Sequence, residues 1–205
     1  GALFSTGAWV SLKLVIDAQD STAALVNVSG RQRMLSQRVA MLSHEMVYRP
    51  AQTAHDLKAA VALMARSHHG LTHGDLALKL PPTMSATVRG LYHGPAGQLD
   101  QQVRQYLQQA NDWVNVPDAQ RTSQHPTLLA LVATARGELL PKLDRMVGQY
   151  QEEGEAAVAR VRLIETAIWL ATLLLLVLEA VLIFHPIVNH VKAVLLRLQH
   201  SKDRK

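Results

Sequence analysis

Apolar residues recur along the chain with two different rhythms. From Thr166 to Val188 the sequence TAIWLATLLLLVLEAVLIFHPIV is apolar almost without break. That is about the 20 residues a helix needs to cross roughly 30 Å of hydrocarbon. A shorter apolar stretch, GALFSTGAWVSLKLVI, opens the chain at Gly1–Ile16. Between them apolar positions return every three to four residues, the period of an amphipathic helix. In the first such stretch Leu25, Val28, Leu35, Val39, Leu42 and Met46 fall on one side at about 100° per residue and form a core stripe.

Punctuation divides the middle region. A first helix is expected over Asp17–Tyr48, closed by Arg49-Pro50, and a second over Ala51–His69, closed by Gly70. The tight turn between them makes the two antiparallel neighbours. The glycine- and proline-rich stretch Gly70–Gly97 reads as a membrane-distal loop with a short helix near Ser85–Tyr92. A third helix covers Ala96–Trp113, and a fourth runs from Thr127 into the long apolar segment, with Pro141 kinking it or marking an irregularity. The expected fold class is all-α: an antiparallel four-helix bundle whose first and last helices continue into the membrane. The segments are residues 1–16 (end of a first membrane helix), 17–160 (extracytoplasmic bundle), 161–188 (second membrane helix) and 189–205 (start of a cytoplasmic helix).

Composition agrees with this pattern. Hydrophobic residues make up 48 % and aromatics 4 %, and good helix formers dominate. The net charge of +5 is explained by position, because Lys192, Arg197, Lys202, Arg204 and Lys205 follow the long apolar run. Basic residues there mark the cytoplasmic end of a membrane helix. No basic stripe is interleaved with stacking aromatics, so nucleic acid is not an expected partner. The absence of cysteine excludes disulfides and thiolate metal sites. His68, His69, His73 and Asp75 are the one metal-like grouping, and Gly70 is expected to end the helix between His69 and His73, so no metal or cofactor is expected. No nucleophile–base order, phosphate loop or carboxylate pair points to catalysis.

Candidate chemistry concentrates in Asn27–Arg38, NVSGRQRMLSQR. Gly30, Arg33 and Gln37 fall opposite the core stripe, and Asn27, Arg31, Met34 and Arg38 form the adjoining one. A glycine inside a helix costs about 1 kcal/mol relative to alanine, and its bare backbone admits a second helix at close range. In a symmetric dimer Arg33 would meet its own copy. A small planar anion held by two guanidinium groups would relieve the repulsion. The competing reading is a solvated basic face.

Asn27–Arg38 resembles the signature of the PilJ-like family, the N-terminal domain of type IV pili methyl-accepting chemotaxis transducers, and is similar to the periplasmic box of nitrate/nitrite sensor histidine kinases. The likeness extends to HHGLTHGD at His68–Asp75, VRGLYHGPAGQLDQQVRQYL at Val88–Leu107 and ARGELLPKLDRMVGQYQEE at Ala135–Glu153. It implies a periplasmic sensor in the inner membrane that binds an anion, nitrate or nitrite, between two protomers. The site would use Arg33 and Arg38, with Asn27, Gly30, Met34 and Ser36 matching the motif and Arg31 and Gln37 beside them. Arg31, Gln32 and Leu35 depart from the nitrate pattern, and an extra charge at Arg31 bears on which anion is held. Glu179, the one charge inside the long apolar run, and Pro186, at its end, are candidate relay positions. After Pro186 the spacing of Val188, Val191, Val194, Leu195 and Leu198 resembles the start of a coiled-coil signalling helix leading to an output domain beyond Lys205. The alternative is a module that only dimerises the receptor or docks a periplasmic protein.

Overall fold

A computed structural model gives the backbone of residues 2–202 and the side chains of residues 20–182. The chain is helical: α1 Ala2–Glu45, α2 Pro50–His73, α3 Ala86–His93, α4 Leu99–Val114, α5 Pro126–Thr134, a π-helical turn at Ala135–Leu139, and α6 Leu140–Lys202. No strand occurs among the described residues, and one isolated bridge pairs Asp75 with Leu80.

Residues Gly1–Ala156 form one compact unit and Ala157–Lys205 a second. In the first, α1 packs on α2, α2 on α4, and α4 on α5. The expected stripe of α1 is the core face: Val28, Leu35, Val39, Leu42 and Met46 are buried, and Leu25 packs against them half-buried. They meet Leu57, Val61 and Met64 of α2, Val103, Tyr106 and Trp113 of α4, and Leu128, Leu131, Leu143 and Met146 of the last helices in one continuous core. Two hydrogen bonds set the register of α4 on α1: Tyr106 Oη donates to the Ser36 carbonyl at 2.6 Å and Trp113 Nε1 to the Ser43 carbonyl at 2.9 Å.

Helix ends follow local chemistry. Proline stands at the start of α2 and α5, where its missing N–H costs nothing. Ser85 caps α3 by accepting from Val88 N at 3.1 Å. The irregularity expected at Pro141 lies in the turn before it. The proline cannot bond back to the carbonyl of Gly137, and Gly137 leaves helical geometry (φ −79°, ψ −108°) within the π-helical turn.

Two expectations fail. Gly70 does not end α2, which continues through it to His73. Gly70 serves packing instead, since a Cβ there would lie 2.9 Å from Leu80 Cδ1. The stretch after α2 also does not lie at the end of the unit remote from Asp20 and Glu153, where a membrane-distal loop was expected. Lys79 Nζ pairs with Asp20 Oδ2 at 2.7 Å and Ser85 Oγ donates to Glu153 Oε1 at 2.6 Å. It therefore lies at the end of the unit where α1 emerges from its apolar start, and the turns at Tyr48 and Val116 form the opposite end. Near Asp20, Gly154 lets α1 approach α6, because a Cβ there would overlap the Thr22 methyl group.

The second unit is the latter part of α6. From Arg162 to Leu182 every residue is exposed, including Leu170, Leu173–Leu178 and Val181. It is the one helix among the described residues long and apolar enough to cross a membrane. Glu179 lies within this run. The side chains of the first apolar segment up to Ile16, and of Pro186 and the heptad-like positions after it, lie outside the described residues.

Candidate functional site

The motif of α1 presents three faces. Asn27, Arg31, Met34, Arg38 and Met41, spaced alternately four and three residues apart, form an exposed row along the helix. Met34 is 51 % and Met41 58 % exposed. Among the described residues no carboxylate lies within ion-pair distance of Arg31 or Arg38. Gly30 borders the row, and a Cβ built on it would meet nothing within 4 Å. Packing among the described residues therefore gives no reason for a glycine there.

Arg33 and Gln37 belong to a second face, turned toward the last helices. This corrects the helical-wheel reading that set them diametrically opposite the core. Arg33 Nη1 donates to Asp144 Oδ1 of α6 at 2.7 Å, with both side chains about half exposed. One turn on, Gln37 Nε2 donates to the Ala135 carbonyl at 3.2 Å, the first residue of the π-helical turn. The motif thus touches the last helices on both sides of the irregularity.

The third face is buried and polar. Ser36 is fully enclosed; its Oγ donates to the Arg33 carbonyl at 2.7 Å and its own carbonyl accepts from Tyr106. Gln32 is buried as well, and its Nε2 donates to His68 Nδ1 at 3.1 Å. His68 Nε2 donates to Asp100 Oδ1 at 2.7 Å, and Arg104 Nε reaches the same oxygen at 3.0 Å. A relay of side chains therefore joins α1, α2 and α4. Burial pushes the His68 pKa below its ordinary value despite the attraction of Asp100, so the ring sits neutral with Nδ1 free to accept. Burial alone would raise the Asp100 carboxyl, but the bonds from His68 and Arg104 outweigh it and hold the pKa below the usual value.

Of the residues singled out in the sequence, Asn27, Arg31, Met34 and Arg38 share one open face with Gly30 at its edge, Arg33 and Gln37 share the next, and Ser36 is inside. His68, Asp100 and Asp144 carry the motif's contacts; each lies in a stretch that shares the family likeness, but nothing in the sequence tied it to Asn27–Arg38. His68, His69 and His73 do not converge on a metal, and no such cluster exists among the described residues. His69 and His73 stack on each other instead, with ring centroids 4.5 Å apart.

The described residues thus hold an all-helical unit with a polar motif on its first helix and a last helix whose exposed apolar stretch is long enough to cross a membrane. Residues 14–137, more than half the chain, match the family model described as type IV pili methyl-accepting chemotaxis transducer N-term, and the protein belongs to that PilJ family. No curated protein and no solved structure matches the chain.

Proposed function

We propose that this protein is the periplasmic sensor module of a bacterial inner-membrane receptor, an antiparallel four-helix bundle that binds a small anion, nitrate or nitrite foremost, between the α1 helices of a homodimer. The observation that carries the reading is the open face of α1. It holds two arginines, Arg31 and Arg38, that have no carboxylate partner among the described residues, in line with Asn27 and Met34, beside a glycine whose built Cβ would meet nothing within 4 Å among them. A second copy of α1 laid on this face would use the bare backbone at Gly30 and bring like charges together. An anion accepting planar hydrogen bonds from guanidinium groups offsets that repulsion. The likeness of Asn27–Arg38 to the box of nitrate sensors supports the same ligand class. Arg33, at the edge of the face, would clamp the anion with its mate.

The signal would pass to α6, which is one helix from Leu140 to Lys202. A shift of α1 against the last helices biases two arrangements of the dimer, and Glu179 and Pro186 lie on the route. No catalysis is assigned to the chain. Exposed Met34 and Met41 favour a second reading, docking of a periplasmic protein on the same face, since methionine adapts to varied partners.

The test is a thermal-shift screen of the full chain in detergent against nitrate, nitrite, sulfate, phosphate, acetate and chloride at matched ionic strength. An anion present at about 100 times its Kd stabilises by roughly 2.7 kcal/mol. A rise with nitrate or nitrite that is absent in Arg33→Ala supports the anion sensor. A flat response to all six anions rejects it in favour of protein docking.

A further inference from the structure

The arginine expected to clamp the ligand is already engaged. Arg33 Nη1 holds Asp144 Oδ1 at 2.7 Å, an ion pair between α1 and α6. The residues around it do not require it for folding. Arg33 and Asp144 are 53 % and 46 % exposed, and the core beneath them is complete without either. Exposed pairs of this kind contribute little to stability. They are correspondingly easy to exchange for another anion.

From this we infer that Asp144 is a built-in counter-anion of the Arg33 site, which sets both affinity and charge selectivity and whose displacement by ligand frees α6 from α1. The inference rests on the reading of the α1 face as an anion site. Its electrostatic part follows from Coulomb's law. A carboxylate about 4 Å from a bound monoanion opposes it, in a site open to water, by an amount equal to about fivefold in affinity. For a dianion the opposition doubles in energy and becomes about 25-fold. Asp144 therefore selects for singly charged ligands of the nitrate, nitrite or carboxylate kind over sulfate and hydrogen phosphate. Its mechanical part follows from where the two ends sit. Arg33 lies one turn before Gln37, which grips the Ala135 carbonyl, and Asp144 follows Pro141 by three residues. Ligand exchange at Arg33 thus loosens the side of the π-helical turn that is continuous with α6 and leaves the Gln37 grip as a pivot. Because coupling is reciprocal, whatever the ion pair contributes to the unliganded arrangement is subtracted from ligand affinity.

The experiment titrates nitrate and sulfate into the full chain in detergent, as wild type, Asp144→Asn and Arg33→Ala, by calorimetry. The expected result is nitrate binding about fivefold tighter in Asp144→Asn, with sulfate gaining more than nitrate so that discrimination between them falls about fivefold. Unchanged or weaker nitrate binding in Asp144→Asn, alongside clear wild-type binding, overturns the inference and leaves the anion site standing. No anion binding in wild type or Asp144→Asn overturns the site itself, and the inference with it. A second readout needs no ligand affinity. The chain has no cysteine, so spin labels at Ala23→Cys on α1 and Glu152→Cys on α6, on chains diluted into an excess of unlabelled chain so that any dimer carries one labelled copy, report their separation. Asp144→Asn without anion should show the separation that wild type reaches only with nitrate. Identical distance distributions in wild type with nitrate, wild type without it and Asp144→Asn refute the release of α6.

Discussion

Replacing His68 by leucine tests the buried relay. The substitution keeps a side chain of similar bulk, so little cavity forms, but removes both ring nitrogens. Gln32 Nε2, buried, loses its 3.1 Å acceptor, and Asp100 loses one of the two donors on Oδ1 while Arg104 remains at 3.0 Å. A buried donor left unpaired costs about 1–3 kcal/mol, and one lost charge-assisted bond adds about 1 kcal/mol or more. The expected destabilisation is about 2–4 kcal/mol, and roughly 5–15 °C in Tm for a domain of this size. Urea unfolding of the full chain in detergent measures it, with Trp9 and Trp169 changed to phenylalanine so that buried Trp113 alone reports the first unit. The pH dependence provides a second check. His68 is harder to protonate folded than unfolded, so below about pH 6.5 the unfolded chain gains the proton more readily. The stability its neutral state contributes is complete above that pH and declines as the pH falls toward the lower folded value, by up to about 1.4 kcal/mol per pH unit. The gap between wild type and His68→Leu should therefore narrow from pH 7 to pH 5. Asp100 acts in a separate window: its contribution is lost only as the pH falls through its depressed folded value. A variant within about 0.5 kcal/mol of wild type at pH 7, or a gap that widens on acidification, would refute the relay.

Other perturbations have clear directions. Trp113→Phe removes the bond to the Ser43 carbonyl and part of the largest fully buried side chain among the described residues, and should cost about 1–3 kcal/mol in urea unfolding followed by far-UV circular dichroism. Gly154→Ala forces a methyl group onto Thr22 where α1 and α6 meet, and should lower stability by about 1–3 kcal/mol; Gly30→Ala, with open space around it, should leave the isolated subunit unchanged or slightly stabilised and weaken self-association measured by analytical ultracentrifugation.

The sequence was most informative where one residue's environment is set by its helix. The stripe from Val28 to Met46 is the core face of α1 because a 3.6-residue period needs no knowledge of partners. Pro141 announced an irregularity for the same reason, since its ring acts on the carbonyl four residues earlier, and Gly137 is the residue able to absorb it. Gly70 misled because a glycine that ends a helix and one that admits Leu80 are the same letter, and the difference lies ten residues away in space-filling terms. The placement of the stretch after α2 was misread because Lys79 finds Asp20 across 59 residues. Asp144 and His68 were not placed in the site for that reason: their partners Arg33 and Gln32 are distant in sequence, and Asp100 reaches the motif only through His68, so packing alone brings them together. Gln32 was noted as a departure from the nitrate pattern, and its role is the buried bond to His68.

The central proposal is an anion shared between two copies of α1, and its most direct measurement is calorimetric titration of nitrate and nitrite into the purified full chain, with stoichiometry read alongside affinity. A site of this kind gives one anion per pair of chains and loses its binding heat in Arg33→Ala. One anion per single chain, or binding that survives Arg33→Ala, would contradict it.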